Sequence, residues 1–254
     1  MAVADVVLKG ELHTSSADLD EAKELLLDGV DVLVLEGSES PLTSFDLSEG
    51  WFALSIAFLF WVLDSVYVSN SVLVDLANAQ GTEVVYTRET DTAIADNVSF
   101  PVKAVAAAIF YLLLPASIWS GFLTGSQLFG AYLLFLGLVM PVGIVRAFDG
   151  RGRDTNRDQY IANEIMEAID RGDSVLAIVG AAHVSGVRDR LPDGDVRLEV
   201  RPPAYGVWSR AHLREIALPM FKAGLLLFSV YLLAVWIVVQ AVGAISPVVG
   251  PLVR

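Results

Sequence analysis

The sequence predicts an α/β fold, a mostly parallel sheet flanked by helices, carrying an inserted transmembrane hairpin and a C-terminal transmembrane helix. Three observations predict it. Short valine- and leucine-rich runs alternate with capped helical segments in two separate stretches of the chain, which is the pattern of β-α-β units. Two long apolar segments joined by a short uncharged link lie between those stretches, and a third follows the second stretch. The 254 residues are 54% hydrophobic with a mean hydropathy of +0.57, more apolar than an ordinary soluble domain, so part of the chain is expected in a membrane.

The first stretch opens with a strand at about residues 5–8. "MAVADVVLKGE" lacks the basic start and long apolar core of a secretory signal and reads as this strand instead. The helix "SADLDEAKELLLDG" follows, with Ser16 or Asp18 as its cap and Gly29 as its stop, and then a second strand, "DVLVLEG". A helix joining two strands makes them parallel. Residues 51–63, "WFALSIAFLFWVL", fall short of the roughly 20 residues a membrane span needs. Asp64, an acid that would be costly at membrane depth, is read as marking the aqueous end of a short helix. "SVYVSNSVLVDLANAQG" keeps helical spacing up to Gly81, and "TEVVYTRETD" reads as a strand and turn.

Residues 102–119 and 128–145 are expected to cross the membrane as a hairpin linked by "SGFLTGSQ", with Pro115 and Pro141 tolerable inside membrane helices. In "DTNRDQYIANEIMEAIDRG", Ile161, Ile165 and Ile169 recur at helical spacing and Gly172 stops the run, so this is an amphipathic helix. "SVLAIVG" reads as a buried strand and "DVRLEVRP" as a further short one. The expected organisation is a first half-domain at residues 1–101, with 51–69 an apolar helix buried or interfacial within it. A membrane hairpin at 102–147, a second half-domain at 148–215 and a final membrane helix at 220–245 complete it.

Charge restricts the partners. Asp and Glu number 30 against 17 Lys and Arg, and nucleic acid or an anionic lipid surface would need the opposite balance. Lys9, Lys23, Lys103 and Lys222 are the lysines, and so acidic a composition fits a salt-adapted protein. Without cysteine there are no disulfides, thiolate metal sites or thiol nucleophiles. Lys103, Arg146, Arg151, Arg153, Arg210, Arg214 and Lys222 flank the spans on the polar-domain side while the hairpin link has no positive charge. The positive-inside rule therefore puts the polar domain in the cytoplasm.

The chemistry-bearing residues gather where ligands bind in open parallel sheets, at the carboxyl ends of strands. Two of the chain's 3 histidines follow apolar runs by the same rule, His13 after Gly10 in "GELH" and His183 after Gly180 in "GAAH". Glu36 ends the second strand, and Arg88 with Glu89 ends "EVVYTRE". Two imidazoles and a carboxylate suit a borderline divalent ion such as zinc, manganese or cobalt, so His13, His183 and Glu36 are the expected metal ligands. Glu11 is a second nearby carboxylate, a candidate ligand or base, and Arg88 or Arg157 a candidate for polarising a substrate carbonyl. His212, in "WSRAHLREIALPM", reads as a residue at the membrane boundary.

The segments "GELH", "VLEG", "NRDQYIANEI" and "LAIVGAAHVSGV", in that order, resemble the TraB/PrgY (pheromone shutdown) family, related to the TIKI membrane proteases and to EreA/ChaN-like proteins. The resemblance implies an α/β domain with two Gly-x-x-His motifs, here Gly10 with His13 and Gly180 with His183, a glutamate at the second strand, Glu36, and an arginine opening the later helix, Arg157. It implies metal-dependent peptidase activity, as in TIKI-type proteins, or removal of a peptide signal by degradation or sequestration. The expected function is a membrane-anchored metal-dependent hydrolase acting on a peptide or small signal. The competing readings are a non-catalytic membrane protein that binds such a signal, and a transport accessory protein.

Overall fold

A computed structural model of the protein describes residues 4–38, 50–88, 98–148, 156–192 and 196–249; Glu89 lies outside them, and the side chains of Ser38, Arg88, Asn156 and residues 244–249 are not described. The chain divides into two compact units, one of residues 1–44, 65–93 and 150–219, the other of residues 45–64, 94–149 and 220–254.

The first unit is built on a five-stranded, all-parallel sheet: β1 (Ala4–Glu11), β2 (Val32–Ser38), β3 (Glu83–Arg88), β4 (Ser174–Gly180) and β5 (Val196–Arg201), in the spatial order β3-β2-β4-β1-β5. The expected β-α-β unit at the start is present, but its two strands are not neighbours. β4, from the far side of the hairpin sequence, lies between them, with Val32 and Val6 both in register with Val175. That central place explains why "SVLAIVG" is an unbroken apolar run: Val175 to Val179 are fully buried because helices cover both faces of the sheet. At the edge, β5 instead has only Val196 and Leu198 half-buried and its other residues exposed.

Helices α1 (Ser16–Leu27) and α3 (Ser71–Gln80) cover one face, where Ala22, Leu26, Leu73 and Ala77 pack on Leu33, Leu35, Leu176 and Ile178. On the other face lie α6 (Asn156–Ile169) and α7 (Val184–Arg188), with Ile161, Ile165, Ala168 and Val187 on Val6, Leu8, Val34 and Ala177. The helical spacing of isoleucines in α6 is thus the stripe that meets the sheet. Ile161→Ala and Ile165→Ala should each cost about 2–5 kcal/mol, read as a drop in unfolding midpoint. The cap of α1 is Ser15, not Ser16 or Asp18. Ser15 Oγ accepts from Asp18 N–H, and Asp18 turns inward to bind Leu12 N–H at 2.8 Å and the buried Lys9 ammonium at 2.9 Å.

The second unit is helical. It comprises α2 (Gly50–Leu63), α4 (Phe100–Thr124), α5 (Gln127–Phe148) and the part of α8 (Arg210–Val249) from residue 220 onward. Three of these helices, α4, α5 and α8, are long and apolar enough to cross a membrane; α2 is apolar but shorter. The sequence groups residues 51–63 with the first half-domain, whereas Trp51, Phe52 and Ile56 pack with Phe110, Leu138 and Val142 of the hairpin. Asp64 follows the end of α2 and is exposed. Small residues let the long helices approach one another closely, as is common in helices of spanning length. Tyr231 of α8 is fully buried against Gly121 and Gly130, and its hydroxyl donates to the Ser117 carbonyl at 3.2 Å.

Candidate functional site

The topology of the first unit creates the site. Leaving β1 the chain turns to α1 on one face of the sheet, and leaving the adjacent β4 it turns to α7 on the other. The ends of β1 and β4 therefore form a topological switch point, the place where doubly wound sheets hold their ligands. Register places the residues around it. Glu11 pairs with Gly180, the last pair of the β1–β4 ladder, so His13 and His183 emerge side by side beyond it, while Glu36 lies one residue past the Leu35–Ile178 pair.

The two Gly-x-x-His segments pack against each other reciprocally. A Cβ on Gly10 would fall 2.7 Å from Val184 Cγ2, next to His183, and one on Gly180 would fall 3.0 Å from Glu36 Oε2 and 3.5 Å from His13 Nε2. Neither glycine has positive φ; both are needed for close approach rather than for backbone freedom. A third glycine acts differently. Gly37 has φ 145°, and the β2–β3 register shifts between Leu35 and Ser38, a local irregularity beside the turn of Glu36 toward β4.

Each histidine is oriented from behind by a carboxylate. His13 Nδ1 donates to Glu11 Oε1 at 2.7 Å, and His183 Nδ1 donates to Asp158 Oδ1 at 2.7 Å. Because an ionised carboxylate only accepts, both Nδ1 atoms carry the proton in the neutral rings and both Nε2 atoms keep a lone pair. Glu11 is buried, and Asn70 Nδ2 donates to it at 3.4 Å. Asp158 lies over Gly186, where any Cβ would overlap its carboxylate, so "HVSG" carries a glycine for the sake of the acid that holds its histidine. Sequence reasoning singled out Arg157 and passed over Asp158. The available signal was its place in the first turn of an amphipathic helix, which is also a common position for an acid with no site role.

Glu36 is the meeting point. Its Oε2 accepts the Gly180 N–H, its Oε1 is ion-paired with Arg157 Nη2, and His183 Nε2 lies 3.7 Å from Oε1. Burial alone would raise the Glu36 pKa, but Arg157, the Gly180 N–H and His183 together outweigh it and hold the carboxyl below the ordinary glutamate value. A depressed folded-state pKa gives stability that is present above the unfolded value and is lost as pH falls through the folded one. Glu36→Gln is therefore expected to lower the melting temperature at pH 7 and to narrow the gap to the wild type as the pH is taken below about 4, measured by thermal unfolding across that range.

The expected metal ligands fit a divalent ion in kind. Carboxylate-backed imidazoles are how histidine ligands are ordinarily held, and 3.7 Å between His183 Nε2 and Glu36 Oε1 is within what two ligands at about 2 Å from one ion can span. Glu36 is meanwhile engaged by Arg157, and among the described residues no group of three or more His, Asp or Glu side chains is drawn together at metal-holding distance. Arg157 has a buried Nε–H without an acceptor. Arg88 ends β3 opposite Ser38, on the same edge of the sheet as the other residues. The chain matches no family model, no curated protein and no solved structure, so the site rests on its own geometry.

Proposed function

We propose that the protein is a membrane-anchored hydrolase of the TraB/pheromone-shutdown type, cleaving a peptide or small signal molecule at the β1–β4 crevice on the cytoplasmic side. The observation that carries this reading is the reciprocal packing of the two Gly-x-x-His segments beside one glutamate, with a carboxylate behind each imidazole. A histidine that merely fills a turn needs one partner. Two from distant parts of the sequence, each with a fixed tautomer at a sheet's switch point, are poised for proton transfer or ligation.

In this reading His183 Nε2 takes the proton of the attacking water and returns it to the leaving group, while Asp158 fixes the ring and stabilises its charged form. Glu11 does the same for His13 and so orients a histidine rather than acting as the base itself. Arg157, ion-paired with Glu36, supplies the positive charge that would stabilise a substrate carbonyl oxygen as charge develops on it, with Arg88 a second cation at the same strand edge. Were a divalent ion such as zinc, manganese or cobalt held by His13, His183 and Glu36, it would acidify a water and polarise a carbonyl, and His183 Nε2 would then be a ligand in place of the base.

The test is full-length protein in nanodiscs, incubated with a defined peptide library with and without each of these ions and followed by mass spectrometry. Cleavage that disappears in both His13→Ala and His183→Ala supports the hydrolase. Peptide retention without cleavage under every condition would replace it with sequestration. Topology has its own check, because the chain contains no cysteine to remove. In right-side-out vesicles, Ser126→Cys in the hairpin turn is expected to react with a membrane-impermeant maleimide and Ser185→Cys to react only after permeabilisation; the reverse pattern would put the site outside.

A further inference from the structure

His212 belongs to the first turn of α8, where sequence alone reads it as a boundary residue. It is instead 3% exposed, with Nε2 3.3 Å from the Thr14 hydroxyl. One turn later Glu215 Oε1 accepts both the backbone N–H and the hydroxyl of Ser16. Each of the two also buries a polar atom without a partner, His212 Nδ1 and Glu215 Oε2. Burying an imidazole and a carboxylate in this incomplete way is costly, and a helix that only anchored the domain would gain nothing from it.

The two residues grip the link between β1 and α1, which carries His13. Within the link itself Leu12 N–H binds Asp18, the His13 carbonyl accepts from Val68 N–H at 2.8 Å, and Ser15 N–H closes a turn on the Leu12 carbonyl at 2.8 Å. Thr14 and Ser16, beyond the histidine, are secured by α8. We infer that His212 and Glu215 are positioning residues that set His13 in the crevice through Thr14 and Ser16, so that the arrangement of the site depends on the same helix that continues into the apolar span. This rests on the site assigned under the proposed function, but its test does not depend on cleavage.

The chain's 3 histidines allow each imidazole to be followed separately by ¹⁵N-histidine spectra of the full protein in nanodiscs, assigned by single substitution. Diethyl pyrocarbonate acylation rates, read by peptide mapping, give a second measure. Glu215→Ala and Thr14→Val are expected to displace the His13 resonance and speed its acylation about fivefold, the factor one ordinary hydrogen bond is worth, with His183 unchanged. Glu215→Gln keeps an acceptor oxygen and is expected to restore His13 behaviour. An unmoved His13 in both disruptive variants overturns the inference, and so do equal changes at His13 and His183, which mean general loosening. If His13 responds while the wild type cleaves nothing, the coupling stands and the hydrolase reading falls. If His13 does not respond while His183→Ala abolishes cleavage, the reverse holds.

Discussion

In the proposed hydrolase His183→Ala is expected to lower turnover by about three orders of magnitude, the middle of the range for losing a positioned acid–base group, with little change in melting temperature. The ring is only partly buried, so its removal leaves a small, solvent-accessible space rather than a core cavity. What it takes away is the one base whose tautomer Asp158 fixes. Asp158→Asn is the sharper companion experiment. An amide can hydrogen-bond the ring through either its oxygen or its nitrogen, so the geometry survives while the proton is no longer confined to Nδ1 and the charged imidazole loses its counterion. A turnover loss in Asp158→Asn close to that of His183→Ala, with substrate binding preserved, would show that orientation and charge matter as much as the ring itself. A variant with wild-type turnover would remove His183 from the chemistry.

The second large effect is expected in the helical unit. Gly130→Val puts a branched side chain where Tyr231 and the Ser117 carbonyl already sit, since even a single added carbon would overlap the phenol. The ring cannot move aside without breaking its buried bond to Ser117. Overpacking of this kind costs about 3 kcal/mol and is expected as a clear drop in unfolding midpoint in detergent. Gly143→Val is the control: a Cβ there meets nothing within 4 Å, so it should leave the midpoint close to wild type. Tyr231→Phe, which relieves no clash but removes the hydroxyl, should cost only about 0.6 kcal/mol.

The parts of the fold legible in the sequence are those set by neighbouring residues. The strands around "DVVL", "DVLVLEG" and "SVLAIVG", the amphipathic α6 and the three long apolar helices follow from local periodicity and length, and the structure has them all. What was not legible depends on pairing across long stretches. Nothing near Val32 says that its neighbour is Val175 rather than Val6, because the strand order is decided by which apolar faces are complementary once both halves exist. The candidate site divides along the same line. Glycine and histidine spacing exposed His13, His183 and their glycines, and the strand end exposed Glu36. The acid behind His183 and the buried His212 are defined by contacts with segments remote in sequence, Gly186 for Asp158 and Thr14 for His212.

The position of β4 also bears on how the protein is made. During synthesis β1 and β2 leave the ribosome first, each with a backbone edge that only β4 can satisfy, and the whole apolar hairpin emerges before β4 does. The sheet therefore stays incomplete, with open strand edges, until both long apolar helices of residues 100–148 have been made. Unpaired edges of this sort invite association with other chains. Completion of the sheet thus follows synthesis of the apolar hairpin: any delay there prolongs the life of an aggregation-prone intermediate, and β1 and β4 pair only when the chain beyond the hairpin has been made.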